Sequence, residues 1–226
     1  MKEDLEKKSI ESLGEFGLIN HLTAAFNASS SSTVFGVGDD CAVIERDEST
    51  YTLVSSDLFL ENIHFDLMYV PLKHLGYKAI SASISDVYAM NGMAEQVVVN
   101  IGLSSRFPLE AIEELYAGIQ LACETYTIDL IGGDTTSSTK GMLISVTAIG
   151  KAAKEEIVYR SGAKETDLIV VSGDLGAAYL GLQVLEREKQ VFKVNPNNQP
   201  DLDNYTYLIE RQLKPEDVSK LVLFLS

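Results

Sequence analysis

Apolar residues recur along this chain in two periods, and the switches between them predict most of its elements. Behind Pro71, which suits a first helical turn, Leu75, Ala79, Ala82, Val87 and Met90 fall at helical spacing until Asn91-Gly92 stops the run. Val97, Val99, Ile101 and Leu103 then alternate as one face of a strand. A second helix opens after Pro108, with Ile112, Leu115, Tyr116, Ile119, Cys123 and Tyr126 three or four apart. Asp129-Leu130-Ile131 leads into Gly132-Gly133-Asp134, and Met142 to Ile149 alternates again. Nearer the start, residues 15–26 suggest a short helix and Ser29 to Ser32 a flexible connector. Two β-rich stretches follow, Cys41 to Glu45 and Tyr51 to Ser56, which the polar turn Arg46-Asp47-Glu48-Ser49 joins as a hairpin. The order ββαβαβ predicts a mixed sheet with helices on one face, an α+β or layered α/β fold.

Near Lys151 the texture changes to a charged connector, which places a domain boundary at about residue 150 and divides the chain into 1–150 and 151–226. In the second part Leu168 to Ser172 reads as a strand running into Gly173-Asp174 and a helix from Leu175 to Arg187. A polar loop at 195–204 and two helical pieces complete a partial C-terminal α/β unit, too short to close a sheet by itself.

Composition narrows the class. Of 226 residues, 46% are hydrophobic and 23% charged, which fits a globular domain with a substantial core. The 33 acidic against 18 basic side chains leave a charge of -15, which argues against non-specific nucleic-acid binding. The charged start, Met1 to Lys8, has no apolar core and is not expected to be a secretory signal. No apolar run approaches a membrane span. Cys41 and Cys123 form no CxxC and are expected to be small buried residues. A cytoplasmic protein is the resulting expectation.

The candidate chemistry lies in four acidic segments: Gly38-Asp39-Asp40, Ser55-Ser56-Asp57, Ser85-Asp86 and Gly132-Gly133-Asp134. Carboxylates that converge without basic partners repel one another, and hard oxygen ligands of this kind suit Mg²⁺ shared with phosphates. Strand alternation puts Ser55 and Asp57 on one side. Gly133 beside Asp134 would present backbone N–H groups and a carboxylate together. Tight turns and helix caps account equally for the glycine and serine segments. Asp86 sits between Ile84 and Val87 in a helix, where a metal, an arginine or an exposed helix face would each explain it. His64 is placed to reach a phosphate or to stand as a loop residue, and Arg160 to clamp a phosphate or to be solvated.

The chain lacks a Gly-x-x-x-x-Gly-Lys-Ser/Thr loop, His-Glu-x-x-His and Gly-x-Ser-x-Gly. Phosphoryl transfer suits what remains, because it needs positioned metals more than acid–base side chains. A phosphate monoester acceptor, with its second pKa at about 6, already carries an anionic oxygen at neutral pH. No protein base is then required, and no catalytic side chain is assigned.

Gly14-Glu15-Phe16-Gly17-Leu18-Ile19, Gly36-Val37-Gly38-Asp39-Asp40-Cys41-Ala42, Ser55-Ser56-Asp57 before His64-Phe65, and Lys78-Ala79-Ile80 before Ser85-Asp86 stand in one order. Ile131 to Thr136 and Arg160-Ser161-Gly162-Ala163-Lys164 continue it. In this the chain resembles the thiamine-monophosphate kinase family, within the aminoimidazole-ribonucleotide-synthetase-like superfamily, over nearly its whole length. The resemblance implies ATP-dependent phosphorylation of thiamine monophosphate to thiamine diphosphate by direct in-line transfer. It implies Asp40, Asp57, Asp86 and Asp134 as Mg²⁺ ligands, with Ser55 and Ser56 assisting at the end of a strand. His64 matches a substrate-contacting position, and Gly133, Asp134 and Arg160, with Tyr116, match nucleotide-contacting ones. It further implies a homodimer whose N-terminal sheets join into a barrel, covering the apolar face to which Val97 to Leu103 and Ile144 to Ala148 contribute.

Members of that family also carry an Asp-x-Ser-Asp-Gly-Leu motif and a later Gly-Gly-Glu-Asp segment, and neither occurs up to Ser226. The expectation is therefore that these 226 residues alone bind Mg-nucleotide weakly and turn over little. The alternatives are another ATP-using enzyme of the superfamily, such as aminoimidazole ribonucleotide synthetase, or a non-catalytic nucleotide-binding or dimerisation module. The Gly-Glu-Phe-Gly-Leu-Ile and Arg-Ser-Gly-Ala segments favour the thiamine enzyme.

Overall fold

The structure, a computed structural model, describes residues 10–200 and 202–216, so the charged Met1 to Lys8 segment lies outside the described residues. In chain order the elements are α1 (Gly14–Thr23), β1 (Thr33–Phe35), β2 (Ala42–Glu45), β3 (Thr50–Leu60) and α2 (Leu72–Ala89). Next come β4 (Met93–Leu103), α3 (Leu109–Tyr126), β5 (Asp129–Gly132), β6 (Thr135–Ser137) and β7 (Met142–Ala153). The C-terminal part carries α4 (Ala177–Val194) and α5 (Thr206–Leu213).

The strands form one mixed sheet in the order β1-β2-β3-β7-β4-β5, with β6 also on β4. The predicted hairpin is present, with β2 and β3 antiparallel and Ala42 opposite Val54. β7 lies antiparallel between β3 and β4 and pairs with each over ten or more positions. β5 and β6 share the far edge of β4, both parallel to it, and the break between them is Gly133-Asp134. A Cβ on Gly133 would stand 1.9 Å from the Val99 carbonyl oxygen, so only glycine fits where the chain crosses from β5 to β6.

Alternation along β4 and β7 buries Val97, Val99, Ile101, Ile144, Val146 and Ala148 beneath α2 and α3, which cover one face of the sheet. These are the apolar positions whose cover was expected from a second subunit, and the helices of the same chain already supply it. The side chains left uncovered are the alternate ones, including Ser56 and Leu58, the latter 53% exposed. The two helices cross closely through glycines: a Cβ on Gly76 would lie 2.1 Å from the Leu115 carbonyl oxygen, and one on Gly118 1.9 Å from that of Lys73.

Three expectations change. β3 runs on to Leu60, so Ser55-Ser56-Asp57 lies within a strand rather than at its end. Two three-residue strands, β1 and β6, add pairings the pattern did not indicate. Leu168 to Ser172 forms no strand, and Leu168, Ile169 and Val170 are 90%, 95% and 86% exposed. No described strand lies beside that run, and a strand without a neighbour leaves its backbone hydrogen bonds unmade. The helix that follows begins later than expected and continues to Val194, and α5 packs against it.

Candidate functional site

β2 begins opposite Val54, so from Ser55 onward β3 has a strand partner only in β7 among the described residues. The segment leading into β2 and the C-terminal half of α2 come together where β2 no longer flanks β3. On the helix-covered side of β3 stand Leu53, Ser55 and Asp57 in alternation, the first apolar and the next two polar. Ser55 is buried and donates its hydroxyl hydrogen to the Asp86 carboxylate of α2. Cys41, buried just ahead of β2, donates its backbone N–H to the sulfur of Met90 at 3.1 Å, which fastens the Gly38–Cys41 segment to the end of α2.

Four carboxylates surround that point. Burial first, then the charges of Asp86, Asp40, Asp39 and Asp57, push the Cys41 thiol up to about 12. Burial also raises the carboxyl of Asp86, with Asp57 and Asp40 adding to the shift, while the Ser55 hydrogen bond and the Arg160 charge oppose it. Asp40, Asp57 and Asp86, predicted from separate segments, thus lie within electrostatic reach of one another. Arg160 reaches the same place from beyond β7 and pairs its guanidinium with Asp40. Its backbone N–H donates to Asp39 at 3.0 Å, and Asp39 also accepts the Asp40 N–H at 2.9 Å.

Other predicted residues stand elsewhere. Ser56 faces the uncovered side of the sheet, its hydroxyl 3.2 Å from that of Thr147. Asp134 follows the crossing at Val99, and its carbonyl accepts the Ile101 N–H at 2.9 Å. Asp57, Val146 and Val99 share one rung of the sheet, so two strands separate Asp134 from Asp57, roughly 14 Å at ordinary strand spacing. Tyr116 lines an open groove with Leu130 of β5, on the Asp134 side of the fold.

His64 sits past the end of β3, where its Nδ1 accepts the Leu60 N–H at 3.0 Å. In the neutral ring that bond places the proton on Nε2. The histidine lines a cavity of about 280 Å³ together with Tyr69, Lys78, Glu186 and Lys189. Tyr69 donates to Glu186 at 2.7 Å, and Lys189 bridges Asp66 at 2.6 Å and Glu186 at 3.1 Å, joining the loop before α2 to α4. Burial lowers the affinity of Lys78 for its proton, and its ammonium donates to the Gln212 carbonyl at 2.9 Å.

Sequence reasoning left out Asp39, although the doubled acid of Gly38-Asp39-Asp40 was its signal; it anchors the backbone of Arg160. It also left out Lys78, whose signal was a lysine between the apolar Tyr77 and Ala79.

Among the described residues no three His, Cys, Asp or Glu side chains close into a metal cage. The donor set of Asp40, Asp57, Asp86 and the Ser55 hydroxyl, all hard oxygens with excess negative charge, still fits a cation that keeps waters and takes phosphate oxygens, as Mg²⁺ does.

Comparison with known proteins gives the family and the fold. Residues 38–152 match the family described as AIR synthase related protein, N-terminal domain. The chain is similar to thiamine-monophosphate kinase of Bacillus subtilis, 34% identical over 204 residues that cover 90% of this chain and 60% of the relative. Thiamine-monophosphate kinase of Aquifex aeolicus is 34% identical over 184 residues, 81% of this chain and 56% of that protein. The chain therefore spans somewhat over half the length of these relatives. A solved structure of AaThiL complexed with AMPPCP and TMP superposes with a TM-score of 0.83 at 29% identity, covering 97% of this chain and 65% of that one.

Proposed function

This chain belongs to the AIR synthase related protein family through that family's N-terminal domain, and from that premise we propose that it serves the ATP-dependent phosphorylation of thiamine monophosphate to thiamine diphosphate. The observation that carries the reading is the meeting of Asp40, Asp57 and Asp86 around Cys41, with Arg160 their cationic neighbour. It is supported by the curated relatives and by the likeness to AaThiL, a protein solved with AMPPCP and TMP.

In this reading residues 1–150 form the metal- and nucleotide-binding unit and 151–226 the start of a second unit. Asp40, Asp57 and Asp86, with Ser55, hold Mg²⁺. Arg160 binds the nucleotide polyphosphate, and His64 presents Nε2–H to the substrate from its cavity. Roles for Asp134 and Ser56 as metal ligands, and for Gly133, Asp134 and Tyr116 at the nucleotide, rest on the motif resemblance. When bound, Mg²⁺ would supply charge neutralisation between two polyanions. The side chains orient the phosphates, and the acceptor monoester needs no base because it is already ionised.

A homodimer through the uncovered sheet face completes the proposal, supported by exposed Leu58 and Leu60 on that face. No helix among the described residues is long and apolar enough to cross a membrane, and we place the protein in the cytoplasm as part of the same reading.

The test has two parts. Calorimetry with AMPPCP and Mg²⁺ should show weak, metal-dependent nucleotide binding, and ADP release, small for these residues alone, should be stimulated by thiamine monophosphate rather than by formylglycinamidine ribonucleotide. Nucleotide binding indifferent to Mg²⁺, or stimulation by the second substrate alone, would overturn the proposal.

A further inference from the structure

We infer that Arg160 is a built-in counter-ion that exchanges places with the divalent cation: its guanidinium holds Asp40 until metal and nucleotide arrive, then passes to the nucleotide phosphates. The inference rests on the metal–nucleotide reading of this site and specifies how the site is regulated.

Asp39, Asp40, Asp57 and Asp86 all act on Cys41, and carboxylates so gathered need a cation to offset their repulsion. Among the described residues whose charges act most on Asp86, Arg160 is the one of opposite sign. Its guanidinium pairs with Oδ1 of Asp40, one of the oxygens available to a divalent ion. Metal and guanidinium thus compete for the same carboxylate.

The main chain and side chain of Arg160 are held differently. The backbone N–H donates to Asp39 Oδ2, and Asp39 is itself steadied by the Asp40 N–H, so residue 160 stays beside the acids whatever its side chain does. The side chain is half exposed, with the ring of Phe16 5.9 Å from its guanidinium carbon, and is therefore free to turn. A planar guanidinium released there has a better partner in a polyphosphate, which it can bind bidentately, than in one exposed carboxylate. The fixed backbone limits the movement to the side chain's own length. Nucleotide and metal then enter together, because each relieves what the other lacks.

The consequence is an opposite effect on two ligands. In Arg160→Gln, Mn²⁺ alone should bind about two- to fivefold more tightly than in the unaltered chain, the scale of an exposed ion pair removed. AMPPCP with Mg²⁺ should bind about tenfold more weakly. Mn²⁺ binding is read by electron paramagnetic resonance of the free ion and nucleotide binding by calorimetry, with circular dichroism to establish folding. Arg160→Lys keeps the charge without the fork, and should restore Mn²⁺ affinity to near the original value while recovering only part of the nucleotide affinity. Unchanged or weaker Mn²⁺ binding in Arg160→Gln overturns the exchange while the metal site stands. Failure of the unaltered chain, or equal success of Asp57→Asn, to bind Mn²⁺ in the presence of AMPPCP overturns the metal-site reading itself, and the exchange with it.

Discussion

Ser55 of β3 donates its hydroxyl hydrogen to Asp86 of α2, 31 residues further along the chain, so a strand and the helix covering it are joined by a carboxylate where apolar contact would be expected. Burial and the neighbouring Asp57 and Asp40 raise the carboxyl of Asp86. A raised folded-state value stabilises the protein fully below the unfolded value and loses that contribution as pH climbs through the folded one. The carboxylate form of Asp86 therefore costs stability where no divalent cation offsets its burial. Asp86→Asn keeps an acceptor for Ser55 and should stabilise the metal-free protein by about 0.5–1 kcal/mol, allowing for solvent screening of a half-buried group. Thermal unfolding at pH 7.5 should show a Tm higher by roughly 2–3 °C. Mg²⁺ should raise the Tm of the parent and leave that of the variant nearly unchanged. A lower Tm for the variant without metal would remove the argument.

Cys41 and Cys123 differ in reach. Cys41 is 2% exposed, and burial with four surrounding acids pushes its thiol up to about 12. Cys123 is only half-buried, on α3. Iodoacetamide at pH 8 should modify Cys123 first, and Cys41 only under denaturing conditions, as mass spectrometry of the peptides would reveal. Early labelling of Cys41 would mean that the Gly38–Cys41 segment opens far more readily than its packing allows.

Much of the fold could be read from the chain because burial imposes a period. Val97, Val99 and Ile101 alternate, and Leu75, Ala79 and Val87 return at helical spacing, since each set faces the same core. β1 and β6 escaped because three-residue edge strands are held by backbone pairing, which leaves little apolar pattern. β3 was cut short because Ser55 and Asp57 occupy core-side positions, and polar residues there break the apolar alternation. Leu168 to Ser172 shows the opposite case: its composition suits a strand, but no described strand lies beside it. Asp40, Asp57 and Asp86, which the structure brings near one another, were recognisable by residue type. The separation of Asp134 from them was not, because no local signal tells that β7 inserts between β3 and β4.

Gly118 gives a direct test of the α2–α3 crossing. A methyl group there would lie 1.9 Å from the Lys73 carbonyl oxygen, and backbone cannot step aside as a side chain can. Gly118→Ala should cost about 2–3 kcal/mol despite alanine's better helix propensity. In urea unfolding the midpoint should fall with little change in slope. A neutral or stabilising effect would show that the helices cross less closely.

Lys189 ties α4 to the loop before α2 through Asp66 and Glu186, with Tyr69 donating to the same glutamate. The Tyr69 hydroxyl first, and then Lys189, hold the carboxyl of Glu186 below its ordinary value. A depressed value contributes stability above the unfolded pKa, here 4.5, which is lost as pH falls through the folded one. Lys189→Met should cost less than about 1 kcal/mol and speed amide exchange in α4 and in residues 66–70, while β3 and β7 keep their protection. The difference between variant and parent should shrink below about pH 4. Equal exchange at pH 7 would show that other contacts hold α4 in place.

Ile169, at 95% exposure between Leu168 and Val170, makes a prediction about solubility rather than folding. Four successive apolar residues, Leu168 to Val171, with no strand beside them among the described residues, offer backbone groups as well as apolar surface, the combination that invites pairing between chains. A lysine in the middle adds charge repulsion to any such pairing and removes no buried contact. Ile169→Lys should therefore leave Tm within the change expected of surface substitutions, about 0.5 kcal/mol, and reduce concentration-dependent light scattering and dye binding to exposed apolar surface. A large fall in Tm would place Ile169 in a packed environment. Unchanged scattering would locate the self-association surface elsewhere, with the uncovered face of the sheet around Leu58 the first place to look.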